Sequence, residues 1–138
     1  MISTTNSVAI PLVDDVTTAN NVSDKPFYPD LISCLSSETL KKIHYMVADP
    51  GYDDQKLYDF SMSKGFQLIC PVRRYKNTPE ERKELVDFYQ SALGQIIYSR
   101  RIILVEPLIE HIKSVFGIDP VPARGFDKVR NIMLLSVL

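Results

Sequence analysis

Two carboxylates, Asp49 and Glu106, have the types and positions that a metal-dependent reaction needs. Asp49 follows a nearly continuous apolar run over residues 43–48, which is typical of a buried strand. Open α/β sheets place functional groups at the carboxyl ends of such strands. Glu106 lies on a predicted helix, and Lys113 lies about two turns further along nearly the same stripe. Because no nucleophile accompanies them, these carboxylates favour hard divalent cations such as Mg²⁺. Two such metal ions bound side by side can support an in-line displacement at phosphorus.

Each carboxylate also has a purely structural interpretation. Asp49 precedes a Pro-Gly turn and could cap it. Glu106, Glu110 and Lys113 could form a solvated charged face, with Glu110 further toward solvent and therefore the weaker metal candidate. The spacing alone leaves both alternatives open.

Other chemistry-bearing residues narrow the choice of reaction. His44 and His111 show no Cys/His spacing for zinc, and the five glycines form no phosphate-binding loop. Cys34 and Cys70 lie in unrelated contexts, so we expect both thiols to be reduced and buried.

The composition is that of a globular protein of about one domain. The chain has 138 residues, 45% of them hydrophobic and 24% charged, with a net charge of −1. Residues 1–63 carry four Lys/Arg against nine Asp/Glu, whereas residues 64–138 carry twelve against eight. This asymmetry hints at a polyanion-facing surface in the second half. No apolar run is long enough to span a membrane and no secretory signal is apparent, so we expect a cytoplasmic protein.

The pattern of apolar residues and breakers predicts an α/β fold. Strands are expected over residues 8–13, 43–48 and 66–71, and the last two are joined by a helix that Asp53 caps, which makes a parallel strand–helix–strand unit. Helices are expected over residues 28–35, 54–64, 78–95, 101–116 and 126–138.

Three segments in the right order resemble the DDE-type transposases of bacterial insertion sequences. Residues 18–24 resemble the segment between the third strand and first helix of that family, and residues 47–53 resemble the segment that holds its second catalytic Asp. Tyr98-Ser-Arg-Arg101, followed by Glu106 and Lys113, is similar to its Tyr/Arg/Glu/Lys signature. In addition to these three segments, residues 123–130 are similar to its closing helix.

The resemblance implies the C-terminal part of a ribonuclease H-like fold, with a short mixed or parallel sheet flanked by helices and a helical C-terminal half. It divides the chain into a strand and helix part (1–72), a basic helical insertion (73–97) and C-terminal helices that carry the Glu (98–138). It implies transposition by metal-dependent phosphoryl transfer at transposon ends, in the bacterial cytoplasm in association with the nucleoid.

Site residues and partners follow from the same resemblance. Asp49 and Glu106 would be catalytic and would bind two Mg²⁺ or Mn²⁺ ions. Partners would be transposon-end DNA and an N-terminal transposase half or further copies of the chain, with no membrane contact. The residues expected to contact DNA are Tyr98, Arg100, Arg101, Lys113, Arg73 and Arg74.

Two departures from the family pattern matter. The spacing from Arg101 to Glu106 is one residue longer than the commonest form, so either Arg100 or Arg101 could be the contacting arginine. The first catalytic Asp belongs on an earlier strand than any in these residues, so we expect the chain to be inactive on its own. The alternative is a non-catalytic module that binds DNA or docks on an intact transposase.

Overall fold

The computed structural model describes residues 2–3, 11–13, 24–72, 79–117, 122 and 124–136. Within these ranges the chain is mostly helical and has two small sheets, so the α/β class is confirmed. The strands are β1 (Ile2–Ser3), β2 (Pro11–Val13), β3 (Tyr45–Val47) and β4 (Gln67–Ile69). The helices are α1 (Tyr28–Ser33), α2 (Ser37–Lys42), α3 (Gln55–Ser63), α4 (Glu80–Gln90), α5 (Ala92–Arg100), α6 (Glu106–Phe116) and α7 (Phe126–Ser136).

The chain divides into two compact units. The first unit comprises Met1–Leu35 and Ile102–Leu138, and the second comprises Ser36–Arg101. In the first unit β1 and β2 pair antiparallel, with Ile2 opposite Val13. Its buried apolar side chains are Tyr28, Ile32, Leu35 and Ile112. The second unit contains β3 and β4, and its buried apolar side chains are Leu57, Tyr58, Phe66, Leu68, Ile69, Cys70, Val72 and Val86.

The predicted parallel strand–helix–strand unit is confirmed by β3, α3 and β4. Tyr45 pairs with Gln67 and Val47 with Ile69, and the amide of Ala48 donates to the carbonyl of Ile69 at 3.0 Å. The expectation that residues 43–48 are buried on both faces is wrong, because Tyr45 is 41% exposed. Among the described residues β3 pairs only with β4, and Tyr45 stacks on Phe88 with ring centroids 5.9 Å apart.

Helix α3 begins one residue later than predicted. Its N-cap is Asp54, whose side chain accepts a hydrogen bond from the amide of Lys56, and not Asp53. Its end is as predicted, since Gly65 follows with a φ of 90°, which a residue without a Cβ adopts readily. Asp53 is therefore available for the different contacts described below.

The single helix predicted over residues 78–95 is two helices. Ser91 separates α4 from α5, and its hydroxyl both donates to the carbonyl of Phe88 and accepts from the amide of Gly94. The helical spacing of apolar residues continues across Ser91, so that spacing alone does not reveal that this serine caps a new helix.

The helix predicted over residues 101–116 is regular only from Glu106. Arg101–Val105 form a π-helical turn, and Pro107 occupies the first turn of α6. Gly117, in the left-handed conformation, ends α6 as predicted. Among the apolar residues of α6, Ile112 is buried, whereas Phe116 at the end of the helix is 49% exposed.

Some predicted residues lie outside the part of the chain that the structure describes, and other predictions concern the cysteines and membrane spans. Residues 8–10 of the first predicted strand, most of the segment 18–24, and both Arg73 and Arg74 lie outside the described residues. Cys70 is buried as expected, but Cys34, which directly follows α1, is exposed, so that part of the expectation is wrong. No helix in the described ranges combines the length and apolar character needed to cross a membrane.

Candidate functional site

Asp49 lies just after the carboxyl end of β3 and begins a tight turn. Pro50–Tyr52 form one 3₁₀ turn in which the amide of Tyr52 donates to the carbonyl of Asp49 at 2.9 Å. The Asp49 side chain makes no capping hydrogen bond to this turn. It is 55% exposed. The interpretation of the Asp49 side chain as a cap for this turn therefore finds no support.

Arg101 is the partner of this carboxylate. Its Nη2 lies 2.5 Å from Oδ1 of Asp49, and its side chain is only 17% exposed. Arg101 directly follows α5, so the end of that helix comes to the carboxyl end of β3. Two predicted site residues that are far apart in sequence, Asp49 and Arg101, are thus in contact in the structure.

Tyr98 belongs to the same cluster. Its ring meets that of Tyr89 edge-on, with centroids 5.4 Å apart and planes at 81°. Burial raises the pKa of the Tyr98 hydroxyl, Arg101 acts in the opposite direction, and Tyr89 and Asp49 raise it further. At neutral pH Tyr98 is therefore a neutral hydrogen-bond donor close to a carboxylate and a guanidinium. Arg100 is exposed.

A second cluster lies at the other end of the same turn, and the sequence reasoning missed it. Asp53 forms an ion pair with Arg82 of α4 and also accepts a hydrogen bond at 3.1 Å from the hydroxyl of Tyr58 on α3. Asp53 had been predicted to cap α3. No local signal links it to Arg82, because the two are 29 residues apart.

Glu106 and Lys113 lie on α6, in the other compact unit. Glu106 is the first residue of the helix and is exposed, and Lys113 forms an ion pair with Glu110 at 3.2 Å. The charged-face interpretation thus fits the pair of Glu110 and Lys113. Because a π turn closes over one residue more than an α turn, the turn at Arg101–Val105 matches the one-residue longer spacing between Arg101 and Glu106.

A sequence model of the family described as Transposase DDE domain matches residues 2–138. The chain belongs to the transposase DDE domain family. Searches of curated proteins and of solved structures found no match. The family match confirms the resemblance, and it covers both compact units of this DDE domain, including Asp49 and Glu106.

DDE transposases generally use divalent metal ions. Asp49 suits such an ion as a single hard ligand, since its carboxylate is more than half exposed. Among the described residues, however, no three His, Cys, Asp or Glu side chains are grouped to hold a metal. The part of the DDE domain that the structure describes therefore offers individual carboxylates and not a complete ligand set.

Proposed function

We propose that this DDE domain is the catalytic part of a DNA transposase, built on a ribonuclease H-like fold, with Asp49 and Glu106 as metal ligands. The observation that carries the proposal is the position of Asp49. Within a chain of this family, an exposed carboxylate at the carboxyl end of a parallel strand makes no bond to its own turn and is oriented by a guanidinium. Mg²⁺ or Mn²⁺ ions held by these carboxylates would stabilise the attacking and leaving oxygens of a phosphodiester.

The residues around Asp49 have separate tasks in this proposal. Arg101 orients the carboxylate of Asp49 through their ion pair. Tyr98 keeps its proton and donates to a phosphate oxygen of the DNA. Arg100, which is exposed, is the arginine that contacts DNA phosphate, because Arg101 is directed to Asp49.

Residues outside this cluster complete the proposed DNA contacts. Lys113 contacts phosphate from α6, and it would exchange its ion pair with Glu110 for that contact. Arg73 and Arg74 remain predicted contacts from the basic segment after β4. The proposed partner is the DNA of the transposon ends.

Binding of Mn²⁺ to residues 1–138 tests the metal ligands. Electron paramagnetic resonance of free Mn²⁺ gives the dissociation constant for the original chain and for Asp49→Asn, Glu106→Gln and the matched control Glu110→Gln. We expect a loss of affinity of about tenfold or more for the first two variants, since even residues that only support ligands contribute that much. Glu110→Gln should stay within about twofold of the original. Equal dissociation constants for all four proteins would refute the assignment.

Binding to a fluorescently labelled DNA duplex tests the DNA contacts. Anisotropy at several salt concentrations should give an affinity that falls with salt, and Arg100→Ala should reduce the slope by about one phosphate contact. The control is Lys83→Ala, which removes an α4 cation paired with Glu80 at 2.5 Å. The non-catalytic alternative would show the same DNA affinity in Asp49→Asn together with no Mn²⁺ binding that depends on Asp49.

A further inference from the structure

Arginine side chains form ion pairs at both ends of the turn that carries Asp49. Arg101 binds the side chain of Asp49 at the start, and Arg82 binds that of Asp53 at the end. Between them the turn is closed by two backbone hydrogen bonds, from Tyr52 to Asp49 at 2.9 Å and from Asp53 to Pro50 at 3.1 Å. Asp49 and Asp53 are therefore the two ends of one short turn that backbone hydrogen bonds close.

The contacts of Asp53 are partly shielded from water. The Arg82 and Asp53 side chains are 26% and 27% exposed, so their charge-assisted bond is screened less than one at the surface. Tyr58, whose hydroxyl donates to the same carboxylate oxygen, is only 3% exposed. Burial raises the pKa of Tyr58, so its hydroxyl keeps the proton that it donates. Asp53 is thereby tied to both α3 and α4.

The sheet alone orients Asp49 weakly. Strand β3 has three residues and is paired with β4 alone among the described strands. The Asp49 side chain is 55% exposed, so packing restricts it little. The position of this carboxylate consequently depends on the turn that follows it and on the groups that hold that turn.

We propose that Arg82, acting through Asp53, is a positioning residue that holds the Asp49 turn in the geometry for metal binding. The metal-binding part of this inference rests on the proposed function. Groups that orient a metal ligand without touching the metal commonly contribute about 10–100-fold to its affinity. Arg82 would then act within the protein, by pairing with Asp53, in addition to any contact that the basic helical segment after β4 makes with DNA.

The test compares Arg82→Ala, Arg82→Lys and the control Lys83→Ala in residues 1–138. Lys83 is the next residue on α4, and its side chain is 40% exposed. Two quantities are measured, the Mn²⁺ dissociation constant and the hydrogen-exchange rates of the Tyr52 and Asp53 amides. The Gln67 amide, which donates to the carbonyl of His44 at 3.0 Å, serves as the reference for the sheet.

For Arg82→Ala we expect Mn²⁺ affinity about tenfold weaker and turn amides exchanging about tenfold faster, with Gln67 unchanged. Arg82→Lys should recover Mn²⁺ affinity to within about threefold of the original, because an ammonium still pairs with Asp53. Lys83→Ala should change neither quantity. If Arg82→Ala does not fold, Asp53→Asn takes its place, since the amide oxygen still accepts from Tyr58.

Two results would overturn the inference. Unchanged exchange at Tyr52 and Asp53 would show that Arg82 does not hold the turn, and equal acceleration at Gln67 would show a general effect on stability. Failure of the proposed function gives a different signature, in which Asp49→Asn binds Mn²⁺ like the original chain. The exchange rates then decide by themselves whether Arg82 orders the turn.

Discussion

Replacing Gly94 with alanine should destabilise the protein, although helix propensity alone predicts that it stabilises it. Gly94 lies in the first turn of α5 and is buried. A Cβ at this position would overlap the carbonyl oxygen of Phe88 and would lie 3.0 Å from that of Tyr89. Both oxygens belong to the backbone of the last turn of α4, so no side-chain rotation relieves the overlap.

The magnitude follows from two opposing terms. Alanine is favoured over glycine within a helix by about 1 kcal/mol, so the sequence alone predicts stabilisation. Overpacking costs about 1–3 kcal/mol, and an overlap with rigid backbone belongs at the upper end of that range. The net expectation is a loss of about 2 kcal/mol in the free energy of unfolding, which corresponds to a decrease of about 8 °C in Tm for a chain of this length.

Urea unfolding followed by circular dichroism measures this loss. The control is Gly51→Ala, where an added Cβ meets nothing within 4 Å, and its free energy of unfolding should stay within about 0.5 kcal/mol of the original. A Gly94→Ala variant as stable as the original chain, or more stable, would refute the close contact between the end of α4 and the start of α5.

Three further predictions concern the elements around the site. Ser91→Ala should lower the free energy of unfolding by about 1 kcal/mol, because the amide of Gly94 loses its cap; thermal unfolding measures it, and an unchanged Tm would contradict the break between α4 and α5. Arg101→Ala should cost about 1 kcal/mol at low salt and less at about 0.5 M NaCl, because the Asp49 side chain is more than half exposed; a loss that does not depend on salt would argue against the ion pair. Tyr58→Phe should flatten the alkaline loss of stability. In the unfolded chain Tyr58 ionises near its ordinary pKa of 10.0, whereas burial raises its folded pKa, so the native state loses up to about 1.4 kcal/mol per pH unit as the pH rises past that value. Urea unfolding from about pH 8 to about pH 11 compares the two slopes, and parallel slopes would contradict the buried, protonated hydroxyl.

Local sequence signals predicted where a strand and two helices end. The apolar run before Asp49 and the following Pro-Gly turn placed a strand end there, and β3 ends at Val47. Gly65 and Gly117 were predicted to end helices and do so with positive φ. Such signals succeed because strand endings and helix termini depend on residues within about one turn of each other.

The same signals were wrong where a residue had two possible local uses. Asp53 and Asp54 both precede α3, and either could cap it by residue type alone. In the structure Asp54 is the cap, and Asp53 instead forms an ion pair with Arg82 and accepts a hydrogen bond from Tyr58. A capping rule includes no term for a cation 29 residues away.

By itself, the sequence determined the family, the parallel strand–helix–strand unit and the identity of Asp49, Tyr98, Arg101, Glu106 and Lys113 as the residues to examine. Only the tertiary structure showed that Arg101 forms an ion pair with Asp49 and that Arg82 forms one with Asp53 at the far end of the same turn. Residue type and spacing report on neighbours within a few positions, which is enough to specify strands and turns. The partner of a charged side chain depends instead on how helices pack against the sheet, and that arrangement exists only in the folded chain.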